Sequence, residues 1–274
     1  ARVYQQNQLV FVSPTSTSED LSTQGKSYRP NFFFRTVPSD RVTAQTLADY
    51  LSKQANQQTA AVFYNPRSRY SDSLRKQFRD SFSQNGGRIV EEFDLSEIAS
   101  LEQAIVQAEK QGAKVLALFP DTQNIILDTT TTLINTNQCR HPIVGGDTLY
   151  NPGILKVGRS AADCLVIAVP WHSTDSSNKE FAQATQTLWG GQVSWRTALA
   201  YDATRSLIEA ITQRQQNGKT VQQVLAVPNF RATGATGVIG FQANGDRKES
   251  NMQLVKVALD KQGRLTFVPL DTRR

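Results

Sequence analysis

The chain has 274 residues, of which 39% are hydrophobic and 20% charged, and a net charge of +6, which suits one large or two smaller globular domains with ample core. No apolar run reaches the roughly 18 residues a membrane-spanning helix needs, residues 1–8 lack the apolar stretch of a signal peptide, and Lys and Arg are scattered without the aromatic interleaving of a nucleic-acid surface. The two cysteines, Cys139 and Cys164, and the two histidines, His141 and His172, do not have the spacing of a zinc or redox site. No GxSxG, Walker or GxGxxG pattern follows a strand, so neither a metal nor a cofactor is expected.

In chain order, residues 2–7 read as the end of a helix, and 9–12 as a short buried strand that Ser13-Pro14 ends. The turn Thr15-Ser16-Thr17-Ser18 then offers four hydroxyls and several backbone N–H groups at a strand's carboxyl end, where open α/β sheets bind ligands. Taken alone, such a turn is ordinarily a helix cap or a loop. Residues 30–38, bracketed by prolines and holding Phe32-Phe33-Phe34, read as an extended crossover between lobes, and Ser39 and Asp40 as the cap of a helix near 40–55 with Val42, Leu47, Ala48 and Leu51 inward.

A regular alternation follows. Strands are expected at 60–64, 89–93, 115–119, 143–144 and 165–169. Between them lie a helix over 71–85 with Leu74, Phe78 and Phe82 inward and a helix with Leu101, Ala104, Ile105 and Ala108 inward. A third, capped by Asp121 and running to about 135, carries Ile125, Ile126, Leu133 and Ile134. Strands alternating with helices of about 12 residues imply a parallel sheet covered on both faces. After Trp171 the pattern changes to a polar linker over 172–180, a helix near 178–188, a Gly190-Gly191 break, and a long helix near 194–214 with Leu199, Ala203, Leu207, Ala210 and Ile211 inward. A short helix at 221–227, a strand at 238–241 and a hairpin pairing 252–259 with 265–268 complete the chain.

SPTST followed by FFFRTVPSD, a helix and AAVFYN resembles the type I periplasmic binding proteins of the leucine/isoleucine/valine-binding class, whose ligand-binding region also occurs in metabotropic glutamate receptors. The resemblance runs from Ala1 to about Pro269 but begins partway into the family's pattern, without its first two to three βα units. It implies an α/β fold of two Rossmann-like lobes, the first incomplete, with 1–36 and 172–248 in lobe 1 and 37–171 and 249–274 in lobe 2. An incomplete lobe 1 is expected to leave the Leu199–Ile211 side uncovered and to need a missing N-terminal segment or an oligomer partner. The implied function is not enzymatic: an extracytoplasmic solute-binding protein, periplasmic or extracellular, that takes a small molecule, an amino acid or similar amphoteric solute, by hinge closure for an ABC permease.

On this resemblance Thr15 and Thr17 match positions that hold a ligand carboxylate and amine, Tyr70 matches a tyrosine that packs on or bonds the ligand, and Asp147 matches the acid that pairs with its ammonium. Ser16, Phe119, Asp121 and Trp171 form a second rank at or beside strand ends, for which packing or capping is an equal reading. Three alternatives stand beside the transporter: the ligand-sensing lobe of a receptor with a signalling domain, a Rossmann-like enzyme with Asp121 and Asp147 as acid-base carboxylates, and an interaction module. If strands 143–144 and 165–169 are parallel neighbours, Cys139 and Cys164 share a sheet edge where a disulfide is within reach, which the exported reading favours; two free thiols are the alternative.

Overall fold

Apolar runs such as AAVFY, VLALF and LVIAV settle in a sheet only when both faces are covered. The computed structural model covers them so; it describes residues 2–27, 29–156, 161, 163–174, 179–190 and 193–271. The polar segment at 175–178 and Gly191 lie outside the described residues. The elements run α1 (Arg2–Gln6), β1 (Phe11–Ser13), α2 (Glu19–Ser27), β2 (Phe33–Arg35), α3 (Asp40–Lys53), β3 (Thr59–Tyr64), α4 (Arg69–Gln84), β4 (Arg88–Asp94), α5 (Leu101–Lys110), β5 (Val115–Phe119), α6 (Asn124–Asn137), β6 (Ile143–Gly145) and β7 (Leu165–Val169). They continue with α7 (Lys179–Trp189), α8 (Trp195–Asn217), α9 (Val221–Leu225), β8 (Ala232–Gly234), β9 (Gly237–Ile239), β10 (Gln253–Leu259) and β11 (Leu265–Pro269). Two compact units result: Ala1–Ser39 with Pro170–Asn251, and Asp40–Val169 with Met252–Arg274.

The second unit is built on a seven-stranded sheet of order β11-β10-β7-β6-β5-β3-β4. Strands β3 to β7 are parallel, and the β10–β11 hairpin adds antiparallel to β7. Every residue of β5 and β7 is buried. Helix α4 shows why the pattern folds as it does: Leu74, Phe78 and Phe82 recur at four-residue spacing and are all fully buried, the two phenyl rings stacked at 5.2 Å. Burial of each such side chain is worth about 1.5–3 kcal/mol. Ser68 starts the helix by accepting the Ser71 N–H, and Gly86, at φ 81°, lets the chain turn out of it. The Cys139 and Cys164 sulfurs are joined in a disulfide that ties the end of α6 to the start of β7.

The first unit has much less sheet. Strands β1 and β2 pair in parallel with Phe11 opposite Phe33 and Ser13 opposite Arg35, and β8 and β9 form a small hairpin. Val12, Phe34, Ala203, Leu225, Phe230 and Phe241 make its apolar cluster. Two buried ion pairs accompany it: Arg35 Nε to Asp246 Oδ1 at 2.6 Å, and Arg247 Nη1 to Asp202 Oδ2 at 3.2 Å. Asp202, on α8, also accepts the Ala235 N–H at 2.5 Å and the Thr236 hydroxyl, so it clamps the β8–β9 turn to the helix.

Several expectations are corrected. Strand β1 starts at Phe11 rather than 9, because the left-handed backbone at Gln8 and an exposed Leu9 precede the pairing with β2. Residues 33–35 are no free crossover but a buried strand of the first unit, and α2, unforeseen, follows the hydroxyl turn. Asp121 does not cap α6: the cap is Gln123, and the Asp121 carboxylate, two residues earlier, accepts the Gln123 N–H at 2.8 Å. Ile125 and Ile211 face solvent, whereas Leu199, Ala203 and Ala210 are buried against other parts of the first unit, so most of that side is not uncovered. β8 was also missed, since Ala-Thr-Gly carries no strand signal.

Candidate functional site

In the second unit β3, β5 and β6 are adjacent and parallel, so the residues that follow them share one edge of the sheet. These are Asn65, Pro120-Asp121 and Gly146-Asp147. The carboxyl edge of such a sheet is where α/β folds collect ligand-binding groups. Asp147 opens a single turn of 3₁₀ helix directly after β6 and is 4% exposed. The Tyr70 hydroxyl, from the first turn of α4, donates to Asp147 Oδ1 at 2.7 Å and lies 3.5 Å from Thr148 Oγ1, which itself donates to the Pro120 carbonyl at 2.8 Å. Burial pushes the Tyr70 phenol well above its ordinary value of 10.0, and the carboxylates of Asp147 and Asp40 push it the same way. Tyr70 is therefore a permanent donor at neutral pH.

Two glycines make room for this. A Cβ on Gly146 would lie 2.6 Å from the Tyr70 hydroxyl, and one on Gly145 would lie 2.8 Å from the Leu118 carbonyl. Alongside, the Asn65 amide donates to Asp121 Oδ2 at 2.7 Å, and Gln123 reaches the same oxygen at 3.1 Å. Ser71 donates to the Phe119 carbonyl and accepts the Asn65 N–H at 2.7 Å, fastening the start of α4 to the ends of β3 and β5.

The first unit carries the hydroxyl turn. Ser13 Oγ accepts the N–H groups of Ser16 at 3.0 Å and Thr15 at 3.4 Å. Thr15 is exposed, Ser16 half-buried, and Thr17 is 4% exposed with its hydroxyl lacking any hydrogen-bond partner. The Thr17 and Ser18 N–H groups likewise have no partner among the described residues. They stand ahead of α2, whose first turn carries Glu19 and Asp20. Trp171 is buried edge-on to Phe181, ring centres 6.1 Å apart, with an unpartnered indole N–H.

Of the expected site residues, Tyr70 and Asp147 are hydrogen-bonded to each other, and Asp121 lies in the neighbouring network with Asn65. Phe119 is fully buried and packs edge-on to Phe78, a place in the core. Thr15, Ser16, Thr17 and Trp171 belong to the other unit. Asn65, Ser71 and Thr148 are not singled out by the sequence; their signal is position, Asn65 directly after β3, Thr148 shortly after β6 and Ser71 in the first turn of α4. Among the described residues no cluster of three His, Cys, Asp or Glu could hold a metal, and no helix is long and apolar enough to cross a membrane.

The family model described as periplasmic binding protein matches residues 1–264. A search of curated proteins gives no match. Among solved structures, an ABC transporter substrate-binding protein from Desulfitobacterium hafniense in complex with Leu is 24% identical with a TM-score of 0.79, over 97% of this chain and 75% of that one. A leucine-binding protein from Thermotoga maritima is 19% identical with a TM-score of 0.77, over 99% and 75%. A solute-binding protein from Rhodopseudomonas palustris, in complex with p-hydroxybenzoic acid, is 15% identical with a TM-score of 0.78, over 98% and 73%. These likenesses concern the fold, the type I architecture of mostly parallel sheet with flanking helices. The match takes in nearly all of the chain's 274 residues, and the chain belongs to the periplasmic binding protein family.

Proposed function

We propose that the chain is an extracytoplasmic solute-binding protein of an ABC importer whose solute is an amino acid or a close zwitterionic analogue. The observation that carries this reading is the Tyr70–Asp147 pair: a buried carboxylate, oriented by a hydroxyl that stays protonated, at the carboxyl edge of a parallel sheet. A carboxylate offers about four lone-pair sites, so an ammonium can add to the bond from Tyr70. The complementary chemistry is in the first unit, where the Thr17 hydroxyl and the N–H groups of Thr17 and Ser18 are donors suited to a carboxylate. The second unit thus offers an acceptor for an ammonium, and the first offers donors for a carboxylate. Desolvation strengthens both contacts.

Calorimetric titration with a panel of amino acids and with 4-hydroxybenzoate, paired with turnover assays, tests the proposal. The expected result is stoichiometric binding of at least one amino acid without turnover. Binding of 4-hydroxybenzoate alone would remove the ammonium from the account, and turnover without stoichiometric binding would make the chain an enzyme.

A further inference from the structure

Arg35 lies in β2 between Phe34 and Thr36 and is fully buried. Its guanidinium faces the hydroxyl turn. Nη1 donates to three successive carbonyls, of Ser16 at 3.2 Å, Thr17 at 2.8 Å and Ser18 at 2.9 Å. Nε donates to Asp246 Oδ1 at 2.6 Å and Nη2 to the Ser22 hydroxyl in α2. Asp246 is fixed in turn by Ser22 Oγ at 2.7 Å and by the Asn244 amide at 2.8 Å.

Three carbonyl oxygens converging on one point repel each other unless a cation holds them. A trans peptide is planar, with its C=O and N–H pointing in opposite directions. Drawing the carbonyls of residues 16 to 18 onto the guanidinium therefore turns the N–H groups of residues 17 to 19 away from it. Among the described residues the Thr17 and Ser18 N–H groups and both their hydroxyls have no partner.

We propose that Arg35 is a positioning residue for the solute: it never touches the ligand but presets the Thr15–Ser18 turn so that its donors converge on a carboxylate before any arrives. This rests on the reading of that turn as ligand-binding. The planar fork is essential, because a lysine ammonium is a point charge with three donors that cannot span Asp246, Ser22 and three carbonyls at once. Preorganised donors bind more tightly because no ordering remains to be done on binding.

The test compares the full chain with Arg35→Lys, Ser22→Ala and Thr17→Ala. Backbone amide order parameters of residues 15–18 are measured without ligand, and L-leucine and 4-hydroxybenzoate, both carboxylates, are titrated calorimetrically. In the wild type the order parameters are expected near the rigid value of about 0.85, falling towards 0.6 in Arg35→Lys, with affinity at least tenfold weaker. Ser22→Ala removes the acceptor of Nη2 and one donor to Asp246 but leaves the carbonyl contacts in place, and is expected to move both readouts the same way but about threefold in affinity, so the proposal stays testable if Arg35→Lys does not fold. Unchanged order parameters in a folded Arg35→Lys, or a loosened turn with unchanged affinity, would overturn the positioning role. Thr17→Ala with undiminished affinity, or a wild type that binds neither probe, would overturn the ligand reading instead and with it Arg35's part in binding, while the order parameters still decide whether Arg35 holds the turn.

Discussion

The two units reach order by different means. In the second, the strands supply it: β5 and β7 are apolar along their length and β3 from Ala60 to Phe63, and α3 and α4 press Leu47, Leu51, Phe78 and Phe82 onto them. In the first, β1, β2, β8 and β9 have three residues each, and two-stranded sheets of that size are marginal alone. Buried guanidinium groups take up the role there: Arg35 ties β2 to the hydroxyl turn and Asp246, and Arg247 ties the chain after β9 to α8 through Asp202. Polar clamps fix a geometry that hydrophobic burial, being non-directional, does not. On the proposed reading the first unit presents oriented donors to a carboxylate, which is where such clamps are useful.

That contrast breaks first at Asp202. Asp202→Ala leaves Arg247 buried without its counter-charge and is expected to destabilise the first unit by about 3–5 kcal/mol. All 3 tryptophans, Trp171, Trp189 and Trp195, lie in that unit, so urea unfolding followed by tryptophan fluorescence reads it directly; an unshifted midpoint would deny the clamp its role. Next comes the disulfide of the second unit, which closes a loop across a sequence separation of 25. Chain-entropy reasoning gives about 3–4 kcal/mol for its loss. Unfolding with and without reductant, followed through amide protection of β6 and β7, measures it, and two titratable thiols in the unfolded, unreduced protein would contradict the bond.

A smaller effect belongs to Gly146. Its Cβ position is occupied by the Tyr70 hydroxyl and by Leu74, so Gly146→Ala is expected to cost about 1–3 kcal/mol of stability through overpacking. Because the displaced group is the donor to Asp147, ligand affinity falls as well. A variant with native affinity and stability would show that the Tyr70–Asp147 contact can shift freely.

The smallest effect is the response to acid, which differs in sign between the units. Burial pushes Asp202 above its ordinary value of 3.8, against the opposing pull of Thr236 and Arg247. Its contribution is present below that value and lost as pH rises through the folded-state pKa. Burial also pushes Asp49 and Asp72 upward, but hydrogen bonds from Asn85, Lys53 and Gln45 in one case, and from Lys76 and Arg75 in the other, outweigh it and hold both below 3.8. Their contributions are present above that value and lost as pH falls through the folded-state pKa, each below about 1 kcal/mol because both pairs are partly solvated. Acidification below pH 4 is expected to cost amide protection in α3 and α4, which carry Asp49 and Asp72, more than it shifts the tryptophan signal; the reverse order would contradict the assignment.

The same difference governs what the sequence disclosed. Runs such as Val115–Phe119 and Leu165–Val169 were legible because a strand buried on both faces is apolar throughout, and the four-residue spacing of Leu74, Phe78 and Phe82 admits only a helix face. β1 and β2 were blurred because each holds a residue that hydropathy places outside a core, Ser13 and Arg35, whose burial depends on partners as distant as Asp246. At the site, Tyr70 and Asp147 were singled out through resemblance, but their bond spans 77 positions and no local pattern announces it. Asn65 and Ser71 escaped for the same reason, since their roles come from strands meeting at one edge.

Asp147 is proposed to receive the ammonium of a zwitterionic solute. Asp147→Asn keeps the shape and a hydrogen bond to Tyr70 while removing the charge. Calorimetric titration of this variant with the amino acid that the wild type binds most tightly is the most direct measurement. A loss on the order of 2–5 kcal/mol is expected, the cost of leaving a desolvated ammonium without its counter-ion; an affinity equal to that of the wild type would take Asp147 out of the site.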